Sequence, residues 1–214
     1  AVDPAWGHAS AAVVTALEQE DLPRLLLDAL RTVGPFERAC LFVYRGQANP
    51  IHVYDSFATP AEKQGLINYT DSTYVLNPFY AAYQRGLQPG VWRMRALAPD
   101  GYVKADLVES YQATAAAGEE IGYLTHGWPA GMEELCLALG LPDGECGEIS
   151  LSRRTVEGGF SDADVAAFEA VLPFVAAVFA RYWRRARQRH LASTQESAAD
   201  AAFAGFGGSL LSPR

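Results

Sequence analysis

LCLALGLPDGECGEISLS, residues 135–152, is the stretch that decides the fold. Large apolar residues alternate with small or polar ones on both sides of a Pro-Asp-Gly turn at 142–144. Because successive side chains of a strand point to opposite faces, this pattern predicts a β-hairpin. Its apolar face carries Leu135, Leu137, Leu139, Ile149 and Leu151, and its other face carries Cys136, Ala138, Glu148, Ser150 and Ser152.

The residues before the hairpin alternate between helix and strand patterns. Apolar residues at spacings of three and four follow Asp21, a candidate N-cap. The predicted elements are helices over 8–20, 22–33, 61–70, 78–85 and 102–114, and strands over 38–45, 51–57, 90–97 and 119–125.

A long helix is predicted after the hairpin. It begins with an approximate capping box, Ser161 to Asp164, and Pro173 predicts a kink within it. Apolar residues follow at heptad spacing, which favours pairing with the same helix of a second copy. The predicted dimerisation residues are Val165, Phe168, Leu172, Val175, Phe179 and Tyr182.

The order of elements predicts an α+β fold in which helices flank a central antiparallel sheet, with a long C-terminal helix. It is GAF-like, with a PAS-like fold as the alternative. The sensing and dimerisation domain spans 1–191. An Ala-, Ser- and Gly-rich stretch over 192–208 predicts a linker.

Composition narrows the class of protein. The chain has 214 residues and a net charge of −8, and it holds three cysteines, an odd and sparse set. The acidic balance argues against direct nucleic-acid binding by these residues, since that needs a basic face. No apolar run approaches the roughly 20 residues that span a bilayer. We expect a soluble, cytoplasmic protein with no membrane partner.

The chain carries no recognisable catalytic constellation. It has no G-x-S-x-G, P-loop or G-x-G-x-x-G motif, and its four histidines are scattered without an H-x-x-x-H pair. Cys136 and Cys146 lack C-x-x-C spacing. We therefore expect neither an enzyme nor a metal or cofactor protein.

Seven segments carry a family resemblance: residues 74–80 (YVLNPFY), 119–124 (EEIGYL), 127–134 (GWPAGMEE), 148–153 (EISLSR), 159–161 (GFS), Leu172-Pro173 and 181–185 (RYWRR). They resemble the sensor region of LuxR-family helix-turn-helix transcriptional regulators. Residues 211–214, LSPR, match the opening of that family's DNA-binding domain, which the resemblance places from about 209 onward. The aromatic Trp-x-x-x-Tyr-Asp motif of acyl-homoserine-lactone receptors has no counterpart here, which argues against a lactone signal.

The small and polar face of the hairpin is the predicted ligand site. Small side chains leave room, and the carboxylate of Glu148 suits a cation such as an ammonium group beside aromatic walls. The predicted ligand-binding residues are Tyr54, Tyr74, Phe79, Tyr80, Trp92, Tyr111, Cys136, Glu148 and Ser150. Two alternatives stay open: the aromatic residues form core rather than a pocket, and Glu148 faces solvent or pairs with Arg93 or Arg95.

These observations predict a bacterial ligand-sensing regulatory domain. A small-molecule effector, with an amine as the leading candidate, controls the geometry of a homodimer and of an attached domain that binds DNA. The alternatives are a thiol redox switch using Cys40, Cys136 or Cys146, and a dimerisation module without a ligand.

Overall fold

The computed structural model describes residues 4–98 and 132–207, with side chains up to 193. The helices are α1 (Pro4–Thr15), α2 (Leu22–Arg31), α3 (Pro60–Asp71), α4 (Pro78–Gln84), α5 (Met94–Leu97) and α6 (Asp162–Gly207). The strands are β1 (Arg38–Arg45), β2 (Ala48–Asp55), β3 (Gly90–Arg93), β4 (Met132–Gly140) and β5 (Cys146–Arg154). Short 3-10 turns occupy Thr73–Leu76, Pro142–Gly144 and Thr155–Glu157.

The five strands form one antiparallel sheet in the order β2-β1-β5-β4-β3. The predicted hairpin is β4 and β5, and the non-glycine residue Asp143 takes a left-handed φ of 62° in its turn. Asn and Asp tolerate that conformation better than other side chains. β5 lies in the centre and pairs with β1, so the two halves of the chain meet there. The α+β class and the central antiparallel sheet are confirmed.

The two faces of the sheet bury different cores. The apolar face of the hairpin packs against α1, α2 and α6 in a cluster that includes Leu26, Leu137, Ile149 and Phe179. The opposite face packs against α3, α4 and α5 in a smaller cluster rich in aromatic side chains, including Phe42, Tyr44 and Phe79. The alternation of residues 135–152 predicts this division.

The long helix α6 starts at the predicted capping box. The backbone N–H of Ser161 donates to the Asp164 carboxylate at 2.8 Å, and the Asp164 N–H donates to Ser161 Oγ at 3.1 Å. The helix is continuous through Pro173.

Residues 162–193 are long and apolar enough to cross a membrane by length and composition. Phe168, Val175 and Phe179 of this segment are fully buried, but only 22% of its most apolar stretch is buried, so α6 packs against the sheet by one face.

The packing of α6 changes the interpretation of its heptad residues. Phe168, Val175, Phe179 and Tyr182 lie in the core of their own chain, and Val165 and Leu172 are partly buried against it. The four side chains in the core are not available to a second copy in this arrangement, whereas Val165 and Leu172 remain predicted dimerisation residues. The apolar spacing of α6 is therefore explained by the contact of this helix with the sheet of its own chain.

Two element predictions are also corrected. The strand over 90–97 ends at Arg93, where the chain turns into α5 and buries Met94 against the aromatic cluster. The stretch predicted as a linker is helical through Gly207, consistent with the high helix propensity of its many alanines. Its conformation is thereby corrected, and its role as a linker remains a prediction. The predictions over 102–114, 119–125 and 209–214 lie outside the described residues.

Candidate functional site

The floor of the site is formed by three neighbouring strands in register. Cys40 of β1, Ser150 of β5 and Cys136 of β4 lie side by side across the sheet. The next row holds Phe42 and Glu148, which are paired across β1 and β5. Because the side-chain period of a strand is two, these residues share the face that turns away from α6.

Above this floor lies a cavity between the sheet and α3. It has a volume of about 100 Å³ and opens to solvent. Its lining comes from all three floor strands, from α3, and from the residues that flank β2 and α4: Cys40, Phe42, Phe57, Glu62, Gly65, Leu66, Tyr69, Asn77, Glu134, Glu148, Ser150 and Ser152. None of these described lining residues is cationic, and three of them are acidic. The cavity therefore combines aromatic walls with negative charge, a combination that suits a cation.

Glu148 is the most constrained acid of the cavity. Its side chain is 1% exposed in the middle of the central strand. Burial raises the pKa of its carboxyl to about 8, and the negative charge of Glu134 adds to the rise. Its Oε2 accepts a hydrogen bond from Tyr44, whereas its Oε1 has no hydrogen-bond partner. A buried acceptor without a partner is costly, so this oxygen favours a ligand that donates to it.

A chain of hydrogen bonds leads to the other oxygen of Glu148. Asn77 Nδ2 donates to the Tyr69 hydroxyl at 2.9 Å, and the two tyrosine hydroxyls lie 2.5 Å apart. The Tyr44 hydroxyl donates to Glu148 Oε2 at 2.6 Å. Burial and the charge of Glu148 raise the pKa of both tyrosines, so they stay protonated as donors. The chain orients the Glu148 carboxyl group. The Tyr44 hydrogen bond favours the ionised form, but burial outweighs it and the pKa of Glu148 stays raised.

The start of α4 is tied to the same chain. Asn77 is its N-cap, and Asn77 Oδ1 accepts a hydrogen bond from the Phe79 N–H at 2.7 Å. The amide of Asn77 therefore has both ends engaged, one on the helix and one on Tyr69. This contact connects the position of α4 to the acidic floor.

A second acid, Glu134, lies beside Glu148. Ser150 Oγ donates a short hydrogen bond to Glu134 Oε1, and Cys136 Sγ lies 3.9 Å from the same oxygen. One ligand atom from each of Glu134, Cys136 and Glu148 lies within 4.8 Å of the other two. The floor thus gathers two carboxylates and a thiol.

The structure separates the predicted ligand-binding residues into groups. Glu148 and Ser150 line the cavity, and Cys136 lies in the floor beside them. Four others, Tyr74, Phe79, Tyr80 and Trp92, pack in the aromatic cluster but not among the residues lining the cavity. Tyr111 lies outside the described residues.

The strand register contradicts the prediction that Tyr54 lies in the ligand site. Tyr54 pairs with Leu41 and packs against the core of the α6 face, on the opposite side of the sheet from Glu148. A register shift between Leu41 and Phe42 separates it from the strand residues of the cavity. The alternative for Glu148 is corrected as well, because its side chain is 1% exposed and both Arg93 and Arg95 pair with Glu133 instead.

Sequence reasoning missed much of the cavity. Cys40 and Phe42 follow the same alternation on β1, and Glu134 lies two residues before Cys136 on β4. Extending the hairpin alternation back by one pair of residues on β4 predicts Glu134, and applying the same alternation to β1 predicts Cys40 and Phe42. Phe57, Glu62 and Asn77 carry no such signal, because their position depends on how α3 and α4 fold over the sheet.

The three cysteines are free thiols. Cys136 pairs with Ser150 and Cys146 pairs with Gly140, so the two residues that flank the turn do not face each other. Burial raises the pKa of all three, with the charges of nearby carboxylates adding to the effect. Thiols in this setting are poor nucleophiles, and no observation here favours the redox alternative.

Comparison with known proteins shows the fold. No protein-family model and no curated protein matches the chain. A crystal structure described as the LBD domain of VqsR from Pseudomonas aeruginosa is similar, with a TM-score of 0.63 and 16% sequence identity over 85% of this chain and 98% of that one. A GAF domain/HD domain protein from Geobacter sulfurreducens has a TM-score of 0.48 and 10% identity, over 79% of this chain and 97% of that one. The likeness to the first of these structures supports the α+β fold with a central antiparallel sheet that the sequence predicts.

Proposed function

We propose that this chain is the ligand-sensing domain of a LuxR-type transcription regulator and that it binds a small cationic molecule, an amine, in the cavity under α3. The observation that carries the proposal is the unpartnered Oε1 of Glu148 at the floor of an acidic cavity with aromatic walls. The likeness to a domain described as the LBD of VqsR supports a ligand-binding role. The LuxR-type assignment rests on the sequence resemblance.

The cavity provides the three interactions that an ammonium group needs. Glu148 Oε1 accepts a hydrogen bond, Glu134 adds a second negative charge, and Phe42, Phe57 and Tyr69 provide aromatic surface. Cation–π contacts contribute about 0.5–2 kcal/mol each. A bound cation also removes the mutual repulsion of the two carboxylates.

The response to the ligand would pass through elements that touch the cavity. In this proposal the occupied state differs in how α3 and α4 lie against the sheet, because Tyr69 and Asn77 connect them to Glu148. The effector then biases the arrangement of two copies of the chain, and with it the attached DNA-binding domains. The chain itself acts without catalysis.

The test is a thermal-shift screen of small amines against alcohols of the same shape. An amine at about 100 times its Kd stabilises the fold by about 2.7 kcal/mol, which corresponds to about 5–10 °C for a chain of this size. Glu148→Gln keeps the shape but removes the charge, and we expect it to abolish the shift. Glu157→Gln, the same change at an exposed position, should leave the shift intact. An equal shift in Glu148→Gln would remove Glu148 from the site.

A further inference from the structure

The floor of the cavity contains a group of side chains that the amine proposal uses only in part. One carboxylate oxygen of Glu134, Cys136 Sγ and one carboxylate oxygen of Glu148 lie within 4.8 Å of one another. Glu148 and Cys136 are 1% and 0% exposed. Glu134 and Glu148 both line the cavity, and Glu148 Oε1 has no hydrogen-bond partner. A buried carboxylate oxygen of this kind requires either a proton or a cation.

The ligand atoms of this group are slightly farther apart than those of an occupied metal site. In a tetrahedral zinc site, bonds of about 2.3 Å to sulfur and about 2.0 Å to oxygen place ligand atoms about 3.3–3.5 Å apart. Cys136 Sγ and Glu134 Oε1 are 3.9 Å apart. Side-chain movements of about 1 Å would bring all three ligand atoms to bonding distance, a shift within rotamer adjustment.

The surroundings of the three side chains fit the role of metal ligands. Tyr44 donates to Glu148 Oε2 and leaves Oε1 unpartnered, and Ser150 donates to Glu134. Outer hydrogen bonds of this kind orient ligands toward a metal ion. Met94 Sδ lies 4.0 Å from Cys136 Sγ, so the environment on that side is rich in sulfur. A thiol among the ligands favours zinc over magnesium or calcium.

We propose that Glu134, Cys136 and Glu148 bind a thiophilic divalent cation, with Zn²⁺ the best fit. Three protein ligands leave a fourth position for water or another ligand, as in zinc sites that bind exogenous ligands. On binding, the Cys136 thiol and any protonated carboxyl release their protons to solvent, and no electron is transferred. This inference goes beyond the proposed function, because it adds a metal-bound state of the same floor. A metal ion and an ammonium group compete for Glu148 Oε1, so the two bound states are alternatives.

The test uses Co²⁺ as a spectroscopic substitute for Zn²⁺ in the tag-free, reduced, chelator-treated chain. We expect one Co²⁺ per chain with a thiolate-to-cobalt charge-transfer band in the near ultraviolet, and loss of the band when Zn²⁺ is added. Cys136→Ser should abolish the band. Cys146→Ser, the same change at another buried thiol outside the cluster, should retain it. Absence of the band in the unaltered chain, or an equal band in Cys136→Ser, would overturn the proposal.

A second variant guards against misfolding of Cys136→Ser. Glu148→Gln preserves the thiol and should weaken Co²⁺ binding by at least tenfold, whereas unchanged affinity would contradict the assignment. The amine screen on chelator-treated protein separates the two proposals. A Glu148-dependent amine shift without a cobalt band supports the sensor and overturns the metal site. A cobalt band without an amine-induced thermal shift supports the metal site and overturns the amine sensor.

Discussion

At the residue scale, an acid at the edge of the cavity controls part of the response of the fold to pH. Asp55 ends β2 with a side chain that is 5% exposed. Burial raises the pKa of its carboxyl, but His52, Lys63 and the Phe57 N–H outweigh burial and lower the pKa to about 2. The ionised carboxylate therefore connects β2 to the start of the loop and to α3.

The shift of Asp55 predicts a loss of stability in acid. A carboxyl with a folded pKa below its unfolded value of 3.8 stabilises the fold above about pH 4, and this contribution disappears as the pH falls toward 2. Asp55→Asn should cost about 2 kcal/mol at pH 7 and flatten the acid limb of the stability curve. Urea unfolding between pH 2 and 7 measures both. Asp71→Asn, an exposed control, should keep the acid limb, and an unaltered limb in Asp55→Asn would contradict the assignment.

At the element scale, α6 and the central strand approach each other closely. A Cβ added at Gly147 of β5 would lie 2.9 Å from Phe179 Cε1 and 3.3 Å from Leu139 Cβ. Real Cβ atoms essentially never come that close to a neighbour, and Phe179 has no room to move because it is fully buried. The absence of a side chain at this position sets the distance between helix and sheet.

The close approach predicts a destabilising alanine. Gly147→Ala should lower the free energy of unfolding by about 1–3 kcal/mol, the usual cost of overpacking. Gly7→Ala is the matched control, since nothing lies within 4 Å of its added Cβ in the exposed face of α1. There alanine should be neutral or stabilise by about 0.5–1 kcal/mol through helix propensity. Equal stability of both variants in chemical unfolding would show that the strand can move away from α6.

Whether α6 packs within its own chain or between copies is a question at the scale of the whole molecule. Four of the six heptad residues lie in the core of their own chain. A homodimer remains a prediction for this protein, but it would have to use other surfaces than these four side chains. Exposed apolar residues such as Val14 of α1, 50% exposed, lie outside the core.

This packing predicts that Phe179→Ala destabilises the monomer fold. The cost should be about 3–5 kcal/mol, typical of a buried aromatic truncation. Because the contact is intramolecular, the loss should be the same at protein concentrations tenfold apart. Val14→Ala, an exposed apolar truncation, should change stability by less than about 0.5 kcal/mol. A Phe179→Ala chain of full stability that only dissociates in sedimentation would restore the heptad interpretation.

The sequence by itself determined the division of the sheet into two chemical faces. Alternation is a property of the extended backbone, so residues 135–152 separate Ile149 from Glu148 without knowledge of the rest of the fold. It also determined the capping box of α6 and placed Glu148, Ser150 and Cys136 on one surface. It could not distinguish a heptad seam from a core face, because both have the same apolar spacing.

Only the tertiary structure decided what surrounds Glu148. Tyr44 is 104 residues away along the chain, and Tyr69, Phe57 and Asn77 reach the cavity from separate elements. The register shift that sends Tyr54 to the opposite face has no local signature. The pairing of strands and the seating of helices are non-local, and burial by those elements is what leaves Glu148 with a raised pKa and one unpartnered oxygen.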